Sequence, residues 1–401
     1  MKEIREEVQK IFPKVQALRR DFHAHPELGF EEVRTSKIVA ETLKSLGLEV
    51  QTGIAKTGVV GLLDTGKPGP TVALRADMDA LPVRDAKKVP YASTVEGVCH
   101  ACGHDGHTAM LLGAAMVLSS LKDTFTGKVK FIFQPCEEIL PGGAKFMVEA
   151  GVLENPKVDN MFGLHLWTNY PAGTVGLKAG PFMAAVDSFT AEIIGKGGHG
   201  SAPHETVDAV VVAAQVVTAL QTIVSRSVKP SEPAVVSVGT LQAGYTFNII
   251  ADIAKISGTV RSYSEEVRTL IQKRMEEILK GITGAYGADY RFNYTRGYPA
   301  VITDEKVTGY ARQIAAEVVG AENVIDAEPV MGSEDFAYYL QKVPGTFAFV
   351  GAKNEAKGIV APHHHPEFDI DEDALAIGVE LFASYVLNNE KIYNNKTEVC
   401  R

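Results

Sequence analysis

Four cysteines, Cys99, Cys102, Cys136 and Cys400, in a chain of 401 residues are too few for a disulfide framework. Lys/Arg runs are also missing, and the balance of 40 basic against 49 acidic residues gives a net charge of −9. Phosphate binding needs a basic patch, so a nucleic-acid partner is not expected. No stretch approaches the ~20 uninterrupted apolar residues of a membrane span, and no membrane association is expected. The opening Met1-Lys2-Glu3-Ile4-Arg5-Glu6-Glu7 is charged and lacks the apolar core of a signal peptide, which points to the cytoplasm. Glycine shows no period of three and apolar residues run throughout, which excludes collagen-like and disordered classes. The chain is 45% apolar and 22% charged, as in globular proteins. At roughly 150 residues per domain, its length suggests two to three domains.

The 11 histidines fall in five short regions: His23/His25, His100/His104/His107, His165, His199/His204 and His363/His364/His365. Surface histidines would be scattered, so clustering points to sites. Periodicity predicts helices over Lys2–Phe22, with a kink or break at Pro13, and over Ser36–Leu46. Short apolar runs at Gly58–Leu63, Thr71–Ala76, Val129–Gln134, Met161–Trp167 and Thr346–Val350 read as buried strands. They alternate with helices after Gly106, at Ala144–Ala150, Lys306–Val319, Glu334–Lys342 and Glu372–Leu387, implying an α/β layer with a mostly parallel sheet. Between residues 185 and 297 the order changes to β-α-β-β-α-β, the ferredoxin-like arrangement. The expected organisation is therefore one discontinuous α/β domain, 1–184 and 298–401, interrupted by a smaller domain at 185–297.

The densest chemistry is Cys99-His100-Ala101-Cys102-Gly103-His104-Asp105-Gly106-His107. Thiolate, imidazole and carboxylate are the transition-metal ligand types, and glycines allow close approach. A redox pair at Cys99/Cys102 and a plain polar loop are the competing readings. Glu137-Glu138 follows a predicted strand end, where open α/β sheets bind ligands. Adjacent carboxylates there suit one metal ligand and one proton carrier, against a solvated acidic turn. His165 lies inside an apolar strand, where a lone histidine is more often a core residue than a ligand. Pro362-His363-His364-His365-Pro366 is a stiff imidazole-rich loop, and Gly197-Gly198-His199-Gly200 could bring an imidazole and backbone N–H groups to a substrate.

Together these segments resemble the metal-dependent aminoacylase/carboxypeptidase family, in the branch of hippurate hydrolase and the indole-acetyl-amino-acid amidohydrolases. The resemblance spans nearly the whole chain, from Asp21-Phe22-His23-Ala24-His25-Pro26-Glu27-Leu28 through Arg75-Ala76-Asp77-Met78-Asp79 and Met331-Gly332-Ser333-Glu334-Asp335-Phe336 to the histidine loop. It implies a dinuclear-metal aminopeptidase-like catalytic domain with an inserted lid and dimerisation domain. Two divalent ions (Mn, Zn, Co or Ni) would be held by Cys102, His104, Glu138, His165 and His364, with Cys102 bridging; His363 and His365 are the alternatives to His364. Glu137 would be the general base. His199 would polarise the scissile carbonyl in the partner subunit's site, while Asn248 and Arg261 would bind the substrate carboxylate. The wider family has a ligand histidine where this chain has Asp77, which leaves the roles of Asp77 and Asp79 open. The implied reaction cleaves N-acyl amino acids, with acetyl, benzoyl and indole-acetyl groups all open, in a homodimer. A carboxypeptidase or dipeptidase is the alternative; a non-catalytic metal scaffold, a redox protein and a covalent cysteine hydrolase are more distant ones.

Overall fold

The computed structural model describes residues 2–389, so Cys400 lies outside the described residues. The chain forms two compact units: residues 2–180, 302–328 and 335–389, and residues 181–301 with 329–334. Residues 181–184, 298–301 and 329–334, expected in the larger domain, group with the smaller one.

The first unit is built on an eight-stranded sheet in the order Glu49–Ile54, Gly58–Asp64, Lys128–Gln134, Thr71–Asp77, Asn160–Pro171, Gly345–Lys353, Val175–Leu177, Val324–Asp326. Its four middle strands, from Lys128–Gln134 to Gly345–Lys353, run parallel. Antiparallel strands flank them on both sides, so the sheet is mixed, with four of its seven strand pairs parallel. Thr71–Asp77 is buried along its whole length, as expected of a parallel strand covered on both faces. Helix His104–Ser120 is buried from His104 to Leu118 and carries apolar residues on every side, the pattern of a core helix. A Cβ on its Gly113 would come within 2.8 Å of both Val379 and Val15 side chains. Glycine there lets helices Lys2–Ala24 and Asp373–Leu387 press against it.

Several expectations are corrected. Helix Lys2–Ala24 continues through Pro13 without a break. The helix expected after Gly106 begins at His104, which puts His104 and His107 on its first turn. The helix expected at Glu334–Lys342 shrinks to Ala337–Leu340, because Glu334 and Asp335 are buried polar groups drawn into other contacts. Strand Glu49–Ile54 was missed; it is a largely exposed edge strand without an apolar run.

The second unit has a four-stranded antiparallel sheet in the order Ala234–Ala243, Ile253–Ser262, Ala185–Ile194, Asp289–Arg296. By chain position this is 2-3-1-4, the ferredoxin-like order. Helices Ala209–Thr222 and Glu265–Tyr286 share a core with Phe189, Ala191, Ile193 and Ile256 of the sheet. Ala209–Ser227 is long and apolar enough to cross a membrane by length and composition, one exception to the sequence expectation. Its buried residues, including Val212, Val216 and Leu220, belong to this core.

Asp187 is the polar anchor of the second unit. Its buried carboxylate accepts from Arg268 Nε at 2.9 Å, Tyr294 Oη at 2.7 Å and the Gly297 N–H at 3.0 Å. Asp187→Ala would strand a buried guanidinium, and loss of one partner of such a pair costs about 3–5 kcal/mol. Urea denaturation should show a lower midpoint for this variant; an unchanged midpoint would refute the anchoring role.

Candidate metal centre

The C-terminal ends of the parallel strands bring the chemistry together. Strand Thr71–Asp77 leads to Asp79, Lys128–Gln134 leads to the Glu137-Glu138 turn, and Asn160–Pro171 contains His165. Cys102 sits just before helix His104–Ser120, and Gly103 between them has φ +97°, a left-handed conformation open to glycine.

Hydrogen bonds fix which nitrogen each imidazole offers. His104 Nδ1 lies 2.9 Å from the Asp79 carbonyl oxygen, an acceptor, so Nδ1 carries a proton and Nε2 faces inward with no hydrogen-bond partner. His165 follows the same rule: Nδ1 donates to the Leu166 carbonyl at 2.7 Å, and Nε2 lies 3.5 Å from Cys102 Sγ. A backbone carbonyl on one nitrogen is the usual way a protein orients a metal-binding histidine. His107 differs. Its Nδ1 donates to Asp77 at 2.6 Å and its Nε2 accepts the Leu166 N–H at 2.9 Å, so both nitrogens are spent.

The histidine loop sorts itself similarly. His363 Nε2 donates to the Leu166 carbonyl at 2.9 Å, and its ring packs between Trp167 and Phe368. Burial pushes its pKa down to about 4. His365 is exposed and its Nδ1 accepts from the Glu367 N–H. His364, though exposed, sets its ring against the Glu138 carboxylate, with Nε2 3.3 Å from Oε1. It does so from a left-handed backbone, φ +65°, anchored by its N–H on the Ala101 carbonyl at 2.7 Å. Strain of this kind persists where surroundings over-determine it, and it concentrates at functional sites.

The result is two overlapping donor groups, Cys102/His104/His165 and Cys102/Glu138/His364, each with its donor atoms within 4.8 Å of one another. They share Cys102 and contain all five residues that the sequence reading set down as ligands. Glu137 joins His104 and Glu138 in a third group. The electrostatics suit a cation. Burial opposes charging His104, but Asp77, Asp79 and Glu138 outweigh it and push the pKa up to about 10. A proton on Nε2 would thus occupy the place of a positive ion. Burial, with Glu138, Glu137 and Asp77 nearby, holds the Cys102 thiol well above its ordinary range. Thiolate at such a position needs a metal's charge beside it. The buried His104 Nε2, left without a hydrogen bond, together with this mixed S/N/O donor set, fits divalent transition-metal ions.

Around the donors lies a layer that the sequence reading largely missed. Asp79 Oδ1 and Oδ2 accept the N–H groups of Glu137 and Glu138 at 2.9 and 3.0 Å, while its carbonyl orients His104. Asp77 ties His107 to buried Arg75, which also donates to Gln134 and Asp335. The Asp335 N–H in turn reaches Glu137 Oε1 at 3.4 Å. One signal was readable: Arg75 and Asp77 interrupt an otherwise apolar strand, and buried charges must be paired. Elsewhere, His23 pairs with Asp105 at 2.7 Å, and His100 is buried with its pKa pushed down to about 4.

In the second unit, His199 and Asn248 lie on adjacent chain segments. The two-residue strands Gly198–His199 and Ile249–Ile250 pair, and the Gly200 N–H donates to the Asn248 carbonyl at 2.8 Å. His199 is exposed, and its Nδ1 accepts from the Ser201 N–H at 3.1 Å, which leaves Nε2 as the donor nitrogen. Arg261, half-buried on strand Ile253–Ser262, donates to the Val260 carbonyl at 3.1 Å.

Comparison with known proteins places this centre in a family. Residues 73–388 match the model of peptidase family M20/M25/M40. The chain is 49% identical over 300 residues to an N-acyl-L-amino acid amidohydrolase of Geobacillus stearothermophilus, covering 75% of this chain and 80% of that protein. It is 44% identical to thermostable carboxypeptidase 2 of Saccharolobus solfataricus, over 94% of this chain and 96% of the other. Among solved structures, a dinuclear metal binding peptidase of the M20 family from Bacillus subtilis superimposes with a TM-score of 0.82 at 37% identity, covering 94% of this chain and 98% of that one. With its matched segment spanning both the parallel-strand ends and the histidine loop, the chain belongs to peptidase family M20/M25/M40.

Proposed function

We propose that the protein is a metal-dependent amidohydrolase that splits N-acyl amino acids into a carboxylic acid and a free amino acid. The observation that carries this reading is the pair of donor groups sharing Cys102, with the Glu137 carboxylate beside them. The 49% identity to an N-acyl-L-amino acid amidohydrolase supports the substrate class.

In this reading Cys102, His104, Glu138, His165 and His364 hold two divalent ions. Bound there, such ions supply Lewis acidity and bring the pKa of a coordinated water toward ~7. The rest falls to the protein. Glu137, buried beside the donor groups, takes the proton of the attacking water on a carboxylate oxygen and returns it to the leaving amine nitrogen. Asp79 and the Asp335 N–H keep that carboxylate in place. His199 of a partner subunit would donate from Nε2 to the oxygen of the tetrahedral species. Asn248 and Arg261 would hold the substrate carboxylate, a planar group that a guanidinium fork matches.

A homodimer through the second unit completes the reading. Strand Ala234–Ala243 is an edge strand, and the stretch after it exposes Tyr245, Phe247 and Ile249, with Phe247 99% exposed. Unpaired edges and large exposed apolar groups favour association. A carboxypeptidase activity is the second reading, favoured by the 44% identity to thermostable carboxypeptidase 2.

Three outcomes test this. Chelator-stripped protein should lose hydrolysis of a panel of acetyl, benzoyl and indole-acetyl amino acids and recover it at about two ions per chain when Mn, Zn, Co or Ni is added back singly; turnover indifferent to chelation would overturn the mechanism, and cleavage of dipeptides alone would favour the second reading. Glu137→Gln should keep its metals and lose roughly 10²–10⁴-fold in kcat, whereas near-normal turnover removes Glu137 from the role. His199→Ala should lower kcat with metal content intact, and an unchanged kcat sinks the oxyanion assignment.

A further inference from the structure

The turn that carries Glu137 contains a backbone donor with an unusual partner. The chain leaves strand Lys128–Gln134 through Pro135 and Cys136, and Cys136 has φ +52°, a left-handed conformation that residues with a Cβ rarely adopt. Three contacts impose it. The Cys136 carbonyl accepts the Gly143 N–H at 2.7 Å. Its thiol packs against Gly29, where a Cβ would lie 2.7 Å from Sγ. Its N–H donates to Glu32 Oε1 at 2.8 Å.

Glu32 is fully buried and immediately precedes helix Val33–Ser45, yet its side chain does not cap that helix. Its second oxygen accepts the Thr57 hydroxyl at 2.5 Å. Among the described residues it forms no ion pair. Burial, joined by the negative charge of Asp79, pushes its pKa up to about 7. A carboxyl group placed so deep without a cation is a liability for folding alone. One of its backbone partners belongs to the residue before Glu137. With Asp79, it completes a set: the consecutive N–H groups of Cys136, Glu137 and Glu138 all end on carboxylate oxygens from distant parts of the chain.

We infer that Glu32 is a positioning residue for Glu137, fixing the left-handed turn at Cys136 from which the general base is presented. The inference rests on the amidohydrolase reading for its catalytic consequence, but the hold on the turn is a separate physical claim. An amide can replace the carboxylate here, since Gln offers a carbonyl to the Cys136 N–H and an N–H to Thr57.

The test compares Glu32→Ala, Glu32→Gln and Thr57→Val in the full-length, metal-loaded protein. Glu32→Ala should lower kcat by about 10–100-fold, the scale of a small misplacement of a reacting group, with KM within about twofold and metal content unchanged. Hydrogen exchange of the 135–138 amides and alkylation of the Cys136 thiol should both accelerate, while Glu32→Gln restores all four readouts. Wild-type kcat in Glu32→Ala, or a loss of kcat that only tracks loss of metal, overturns the positioning role. Unchanged exchange overturns the hold on the turn. If the alanine variant does not fold, Thr57→Val frees one oxygen of Glu32 and decides by the same readouts; wild-type kcat and exchange in that variant overturn the inference. Should the unmodified protein cleave no conjugate or peptide, the amidohydrolase reading fails, while exchange and alkylation still judge the hold of Glu32 on the turn.

Discussion

The carboxylate of Asp79 is the constraint on which the centre depends. It stands just past the end of the buried strand Thr71–Asp77 and binds the N–H groups of Glu137 and Glu138 on its two oxygens, while the carbonyl of the same residue sets the tautomer of His104. One residue therefore fixes the His104 imidazole, at the start of a helix, relative to the Glu137-Glu138 turn, which follows a strand. A carboxylate suits this work because each oxygen accepts in a defined direction, and backbone donors cannot rotate away.

Negative charge accumulates around this anchor. Asp77, Asp79, Glu137 and Glu138 crowd a largely buried volume, and Arg75 meets only part of the excess, through Asp77 and Asp335. The upward push on both His104 and Cys102 reports the same imbalance. Such a site is under-neutralised without cations. Metal affinity here is the other face of a folding cost, since the ions relieve repulsion that the fold itself creates.

The parts of this arrangement readable in the sequence were those where ligand chemistry is dense. Cys102 and His104 stand in a run that packing alone does not require, and Glu137-Glu138 follows an apolar strand. His165 was ambiguous because a core histidine and a metal-facing one look alike in sequence; the Leu166 carbonyl, which takes its Nδ1 proton, is invisible there. The choice among His363, His364 and His365 turns on a positive φ and on stacking against Trp167 and Phe368, neither of which spacing encodes. The Arg75–Asp335 contact joins residues 260 apart, beyond any local pattern. The edge strand Glu49–Ile54 escaped notice because it is exposed on most of its length and carries no hydrophobic signal.

The order of segments along the chain has a consequence for biosynthesis. Strand Gly345–Lys353 pairs with Asn160–Pro171, and the whole second unit lies between them in sequence. His364 comes later still. A ribosome releasing this chain from its N-terminus exports Cys102, His104, Glu138 and His165 long before the strand that flanks His165 and the loop that closes the donor set. Parallel pairing across so long a separation forms slowly. The nascent chain thus carries these four side chains in an unfinished cluster until strand Gly345–Lys353 and the histidine loop have emerged.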